Sequence, residues 1–186
     1  MAPLQKLLMA VFIASALSSW AAPTASATTA NLTDILTKAG YFSTFLNVAS
    51  QANVTAEVQA FIDASGTSGA TLFVPVDAAF TPSVLSVYSG LSPEKQKLLL
   101  QYHGLPKFYD YSGLLSTRSQ SLSNLSTFAP GLSLNVSVHT GIITVYASLN
   151  SANVTSNYAT TFPLTVFAID TVLLSSQILG NPAPPT

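Results

Sequence analysis

The stretch Thr71-Leu-Phe-Val-Pro-Val-Asp-Ala-Ala-Phe80 decides how the rest of this chain is read. Leu72 to Val76 is a continuous apolar run, the pattern of a strand buried on both faces. Pro75 has no backbone N–H and suits a strand end or an edge. Asp77 follows at once, and a carboxylate there is expected to cap the short turn Ala78-Ala79-Phe80. Far downstream the same grammar returns: Thr165 to Ile169 is a second buried run, again ended by an acid, Asp170.

Between and before these runs the periodicity changes. Leu32, Ile35, Leu36 and Ala39 recur at helical spacing up to Gly40, and Phe42, Phe45, Leu46 and Ala49 mark a second short helix. Thr55 is expected to cap a third, carrying Val58, Phe61 and Ile62. Leu85 and Val87 lie in an element of unassigned type. Ser92-Pro93-Glu94 starts a further helix, with a cap, proline at its first position and an acid in its first turn. It runs to about Tyr102, with Leu98, Leu99 and Tyr102 as its inner side. His103 then lies where the chain must turn, ahead of Gly104 and Pro106. Residues 119 to 129 form a polar stretch with sparse apolar anchors. Leu132 to His139 alternates strictly, and Thr140-Gly141 turns into Ile142 to Tyr146, a hairpin with one wet face. Helices, a strand, a helix and then mostly strands predict an α+β fold in a single domain.

Composition bounds the function. Charged residues make up 7% of 186 and hydrophobic ones 48%, and there is no cysteine. Lys6, the apolar run Leu7 to Leu17 and the small residues Ala25-Ser26-Ala27 have the layout of a secretory signal peptide spanning 1-27, with Ala21 or Ala22 as the second choice for cleavage. That run is too short for a membrane anchor, so no transmembrane helix is expected in the mature chain. The exported segment keeps five basic and seven acidic residues, and Arg118 is its only arginine. A nucleic-acid partner is therefore excluded. Five Asn-x-Ser/Thr triplets, at Asn31, Asn53, Asn124, Asn135 and Asn153, predict N-glycans that supply the polarity the side chains lack.

Chemistry-bearing patterns are sparse. The two histidines, His103 and His139, have no ligand spacing, and no phosphate-cradling loop or nucleophile elbow occurs. No metal, cofactor or catalytic residue is predicted. Asp77 and Asp170 could form an acid/base pair only if they met in a cleft. Capping adjacent turns is the plainer expectation for both. His103 is expected to order its turn, where an imidazole can meet free helix carbonyls.

Three segments in order carry a resemblance. Thr71 to Phe80 resembles the first signature box of the fasciclin domain, of the form T-x-F-A-P-x-(N/D)-x-A-F. Leu164-Thr-Val-Phe-Ala-Ile-Asp-Thr-Val-Leu-Leu174 resembles the second, and Leu99-Leu-Gln-Tyr-His-Gly-Leu-Pro106 is similar to the central Tyr-His segment. The resemblance covers residues 31-179, leaving 180-186 as a proline-rich tail. It implies a β-wedge of about seven strands with packed helices, and roles in adhesion and matrix binding without catalysis. It also implies structural or adhesive parts for Asp77, Tyr102, His103 and Asp170. Gly104 departs from the bulky aliphatic residue usual after the histidine. The export signal and Ala-Pro-Pro ending are similar to those of plant fasciclin-like arabinogalactan proteins, which implies cell-wall polysaccharide or glycoprotein partners. A GPI anchor is expected only if the sequence is truncated at its C-terminus, and a secreted short form is the favoured expectation. The competing function is a secreted hydrolase or small-ligand carrier, which would require a cleft beside Asp77 or His103.

Overall fold

Among the described residues two six-residue strands have no wet face, and the whole fold is arranged around them. In the computed structural model, which describes residues 30–64, 67–116 and 122–180, β1 (Ala70–Pro75) and β7 (Leu164–Ile169) are buried along their full lengths. They pair in parallel, Phe73 opposite Phe167 and Pro75 opposite Ile169. Successive side chains leave a strand on opposite faces, so each strand feeds two cores. Leu72, Val74, Leu164, Val166 and Ala168 face one, while Phe73, Phe167 and Ile169 face the other.

The first core is roofed by helices. These are α1 (Leu32–Ala39), α2 (Ser43–Gln51) and α3 (Val54–Ala64), which lay Leu32, Leu36, Phe45, Ala49, Val58 and Ile62 on the sheet. Asn31 caps α1 by accepting from the Asp34 N–H, and Gly40 closes it at φ 74°, a left-handed position that glycine takes without strain. The expected cap at Thr55 is corrected, because α3 begins one residue earlier. Asn53 adopts φ 59°, and its carbonyl accepts the Glu57 N–H. Asparagine adopts that conformation more readily than β-branched threonine.

The second core lies inside the wedge. It is enclosed by β4 (Ser133–His139) and β5 (Ile142–Tyr146), whose inner residues Leu134, Val136, Val138, Ile143 and Val145 are buried. The hairpin turns at Thr140 (φ 49°) and Gly141 (φ 85°), as the alternation predicted. Three strands went unread in the sequence. They are β2 (Gly104–Leu105), β3 (Leu122–Ser126) within the stretch read as polar and sparsely anchored, and β6 (Ser151–Thr161). The last is mostly exposed and lacks an apolar stripe. It is held by hydrogen bonds to β5 at one end and β7 along the rest, with register shifts between Val154 and Ser156 and between Asn157 and Ala159. The seven strands run in the order β2-β1-β7-β6-β5-β4-β3. Across the open seam, the Phe128 N–H donates to the Gly104 carbonyl at 2.9 Å, so the sheet nearly closes into a barrel.

Four further α-helices lie among the described residues. The unassigned segment around Leu85 is α4 (Pro82–Ser89), a surface helix capped by Thr81. Helix α5 (Pro93–Gln101) differs from expectation on its inner side: Leu99 and Leu100 are buried and Leu98 only partly. The cause is that α5 sits between both cores, Leu99 entering one and Leu100 the other. Then come α6 (Tyr111–Ser116) and α7 (Ser176–Leu179). The predicted leader 1-27 and tail from residue 181 lie outside the described residues, as does Arg118. No helix among the described residues is long and apolar enough to cross a membrane.

Candidate functional site

The Tyr102-His103-Gly104 segment is where α5, both cores and the barrel seam meet. Both aromatic side chains are buried, at 1% and 2% exposure, so neither is a surface contact in the folded chain. The Tyr102 hydroxyl donates to the Ser133 carbonyl at 3.1 Å, tying α5 to β4. The His103 backbone carbonyl accepts the Phe73 N–H at 2.9 Å and holds β1.

The imidazole makes two further bonds, and they fix its tautomer. The Leu173 N–H donates to Nε2 at 2.9 Å, so Nε2 carries no proton. Nδ1 therefore holds the hydrogen and donates it to the Leu99 carbonyl at 2.7 Å, one turn back along α5. Burial pushes the imidazole down to about 4, the Leu99 carbonyl opposing the shift. A neutral, doubly bonded histidine ties the end of α5 to the segment after β7. The expectation that His103 meets helix carbonyls holds at Leu99. The contact with Leu173, 70 residues away, had no trace in the sequence.

Gly104 answers to its neighbours. A Cβ built there would sit 2.6 Å from Phe128 Cδ2 and 2.8 Å from Leu72 Cδ2. Phe128 also packs edge-on against Phe61 at 5.0 Å. The ring of Phe128 thus occupies the space that an aliphatic side chain after the histidine would fill. The apolar cleft at this point, lined by Phe45, Leu72, Gly104 and Phe128 among others, encloses only about 10 Å³, scarcely one water molecule.

Both strand-end acids act differently from expectation. Asp77 lies in the short turn Asp77–Ala79 but does not cap it with its side chain. Its carboxylate accepts the Thr44 N–H at 2.7 Å and the Ser43 N–H at 3.3 Å, capping α2 from 33 residues away in the chain. Phe42, at the cap position of α2, has no side-chain acceptor of its own. The Tyr41 carbonyl reciprocates by accepting the Asp77 N–H at 2.9 Å. Asp170 likewise caps no adjacent turn. Its oxygens accept from the Asn153 N–H at 2.9 Å and from Asn153 Nδ2 at 3.2 Å, fastening β6 beside β7. The two carboxylates are thus committed to different elements. Among the described residues no group of three or more His, Asp or Glu side chains could hold a metal ion.

All five asparagines of the Asn-x-Ser/Thr triplets are exposed. Asn135 and Asn153 share the outer face of the β4–β5–β6 sheet, Asn135 opposite Tyr146 and Asn153 opposite Thr144. Asn124 adjoins them, its N–H donating to Asn135 Oδ1 at 2.8 Å.

A seven-stranded wedge with a buried Tyr-His pair at its seam and an acid ending each central strand has a counterpart among known families. Residues 40–175 match the Fasciclin domain. The chain belongs to the fasciclin domain family. Its relatives include fasciclin-like arabinogalactan protein 7 of Arabidopsis thaliana, 33% identical over 158 residues, covering 83% of this chain and 60% of the relative. Fasciclin-like arabinogalactan protein 6 of the same plant is 30% identical over 175 residues, covering 89% of this chain and 68% of that one. The chain therefore spans about 60% of the first relative's length. A solved fasciclin domain pair from the insect cell adhesion molecule Fasciclin I superposes with a TM-score of 0.57 at 19% identity, covering 75% of this chain and 49% of that one. At that identity the likeness establishes the fold.

Proposed function

We propose that this fasciclin domain is an exported glycoprotein module that organises the cell wall or extracellular matrix by binding, without catalysis. Membership of a family generally implicated in adhesion and matrix roles carries the reading, and relatives named as arabinogalactan proteins support a plant-wall setting. The site chemistry is consistent with it: His103, Asp77 and Asp170, the groups that acid or base catalysis would draw on, are each spent on backbone hydrogen bonds. Cell-wall polysaccharide or matrix glycoprotein is the partner class, and the exposed triplets supply the N-glycan sites, at least three of Asn53, Asn124, Asn135 and Asn153 being occupied. The test is retention of the secreted, glycosylated domain on immobilised wall polysaccharide and wall glycoprotein fractions, beside the same domain heat-unfolded. Saturable retention of the folded form alone is expected. Equal retention of both forms, or of neither, would overturn the proposal. Turnover of polysaccharide or ester substrates by the purified domain would instead establish the hydrolase reading.

A further inference from the structure

We propose that the groove beside Asn135 seats the first sugar of an N-glycan carried by Asn135 itself. The inference rests on the reading of this residue as glycosylated and adds where the glycan lies.

Asn135 and Tyr146 stand directly opposite each other on β4 and β5, a relation that brings side chains of one face into contact. Tyr146 is 44% exposed, although most large apolar residues of this sheet are covered. Between them opens a groove of about 200 Å³, lined also by Ser133, Ser148 and Gln177. Pockets for drug-sized ligands run from roughly 300 to 1,000 Å³, so this one suits a single monosaccharide. Its lining combines an aromatic face with hydroxyl and amide groups. That is the chemistry a pyranose meets well, with its apolar C–H face on a ring and its hydroxyls on polar groups.

The asparagine is oriented for attachment. Its Oδ1 is taken by the Asn124 N–H, which leaves Nδ2, the atom that bears a glycan. The other triplets on this side differ. At Asn153, Nδ2 donates to Asp170 and Oδ1 accepts from Thr144. Asn124 lines a groove with Tyr109, but the Lys107 ammonium already lies over that ring, 5.2 Å from its centroid. Among the described residues of this sheet face, Tyr146 is the ring left open beside a triplet asparagine whose Nδ2 makes no hydrogen bond.

The experiment uses the secreted chain with Thr33, Thr55, Ser126 and Thr155 replaced by alanine, so that Asn135 is the one remaining acceptor and every asparagine bond is kept. Site occupancy is read first by mass spectrometry, and an empty Asn135 overturns the glycosylation reading itself. On occupied protein, the glycan is trimmed to one N-acetylglucosamine or removed, and both forms are melted. The trimmed form is expected to melt about 2 to 4 °C above the stripped one, the shift an ordinary stacking contact gives a chain of this size. In Tyr146→Ser the two forms should melt together, and Tyr146→Phe should restore the gap. An equal gap in Tyr146→Ser overturns the proposal. So does the absence of a gap in the parent when added chitobiose stabilises the stripped protein, which assigns the groove to a saccharide supplied in trans.

Discussion

His103 couples fold stability to pH, and the sign follows from its bonds. Protonating Nε2 would set a proton against the Leu173 N–H that now donates to it. The folded imidazole titrates at about 4, below its ordinary 6.5, so the unfolded chain binds the proton more readily. The contribution of His103 is therefore full above pH 6.5 and falls as pH drops towards 4, by about 3 kcal/mol in all. Denaturant melts from pH 7.5 to 4 should show that decline, and His103→Gln should flatten it while keeping one of the two bonds. A profile unchanged by His103→Gln would assign the pH dependence to other groups. Asp77 lends itself to a second test at this scale. Removing its carboxylate leaves two N–H groups of α2 without acceptors, so Asp77→Ala should cost about 1 kcal/mol in a urea melt. Asp77→Asn keeps an acceptor and should cost less, which gives a physical reason for an amide or an acid at this point of the first signature box.

At the scale of elements, the barrel seam depends on one missing methyl group. Gly104 leaves room for Phe128, and Phe128 in turn bonds across the seam and packs on Phe61 in α3. Gly104→Val should destabilise by about 1 to 3 kcal/mol through overpacking. Phe128→Ala alone should also destabilise, by opening a cavity. The double variant should be more stable than the sum of the two predicts, because the valine fills space the ring vacates. Strict additivity in thermal melts would show that the two residues do not share that space.

Across the whole molecule, solubility is the open physical question, since charged residues make up only 7% of the chain. The outer sheet face answers it if glycans sit there: Asn124, Asn135 and Asn153 lie together on β3, β4 and β6, and Asn53 projects from the helical roof. At least three of these four should be occupied in protein from a secretory host. Stepwise enzymatic removal should give a mass ladder and, at its end, a protein that aggregates at lower concentration. A single mass species before and after treatment would refute this.

Local patterning was enough to read the elements whose neighbours impose a period on them. The runs from Leu72 and from Val166 are apolar because both faces of β1 and β7 are buried, and the 132–146 hairpin alternates because one face is wet. The roof helices show their stripes for the same reason. The first and second signature boxes and the central Tyr-His segment were legible as a resemblance to the family that residues 40–175 match. What stayed hidden depends on partners distant in the chain. β6 has no stripe, since its stability comes from backbone bonds to β5 and β7. Asp77 and Asp170 looked like local caps, yet each bonds an element that only folding brings near. Gly104 departed from the aliphatic residue usual at that place, and only the fold brings Phe128, 24 positions on, to fill it. A side chain's type limits which bonds it can make, while the partner that completes them is chosen by the path of the backbone through space.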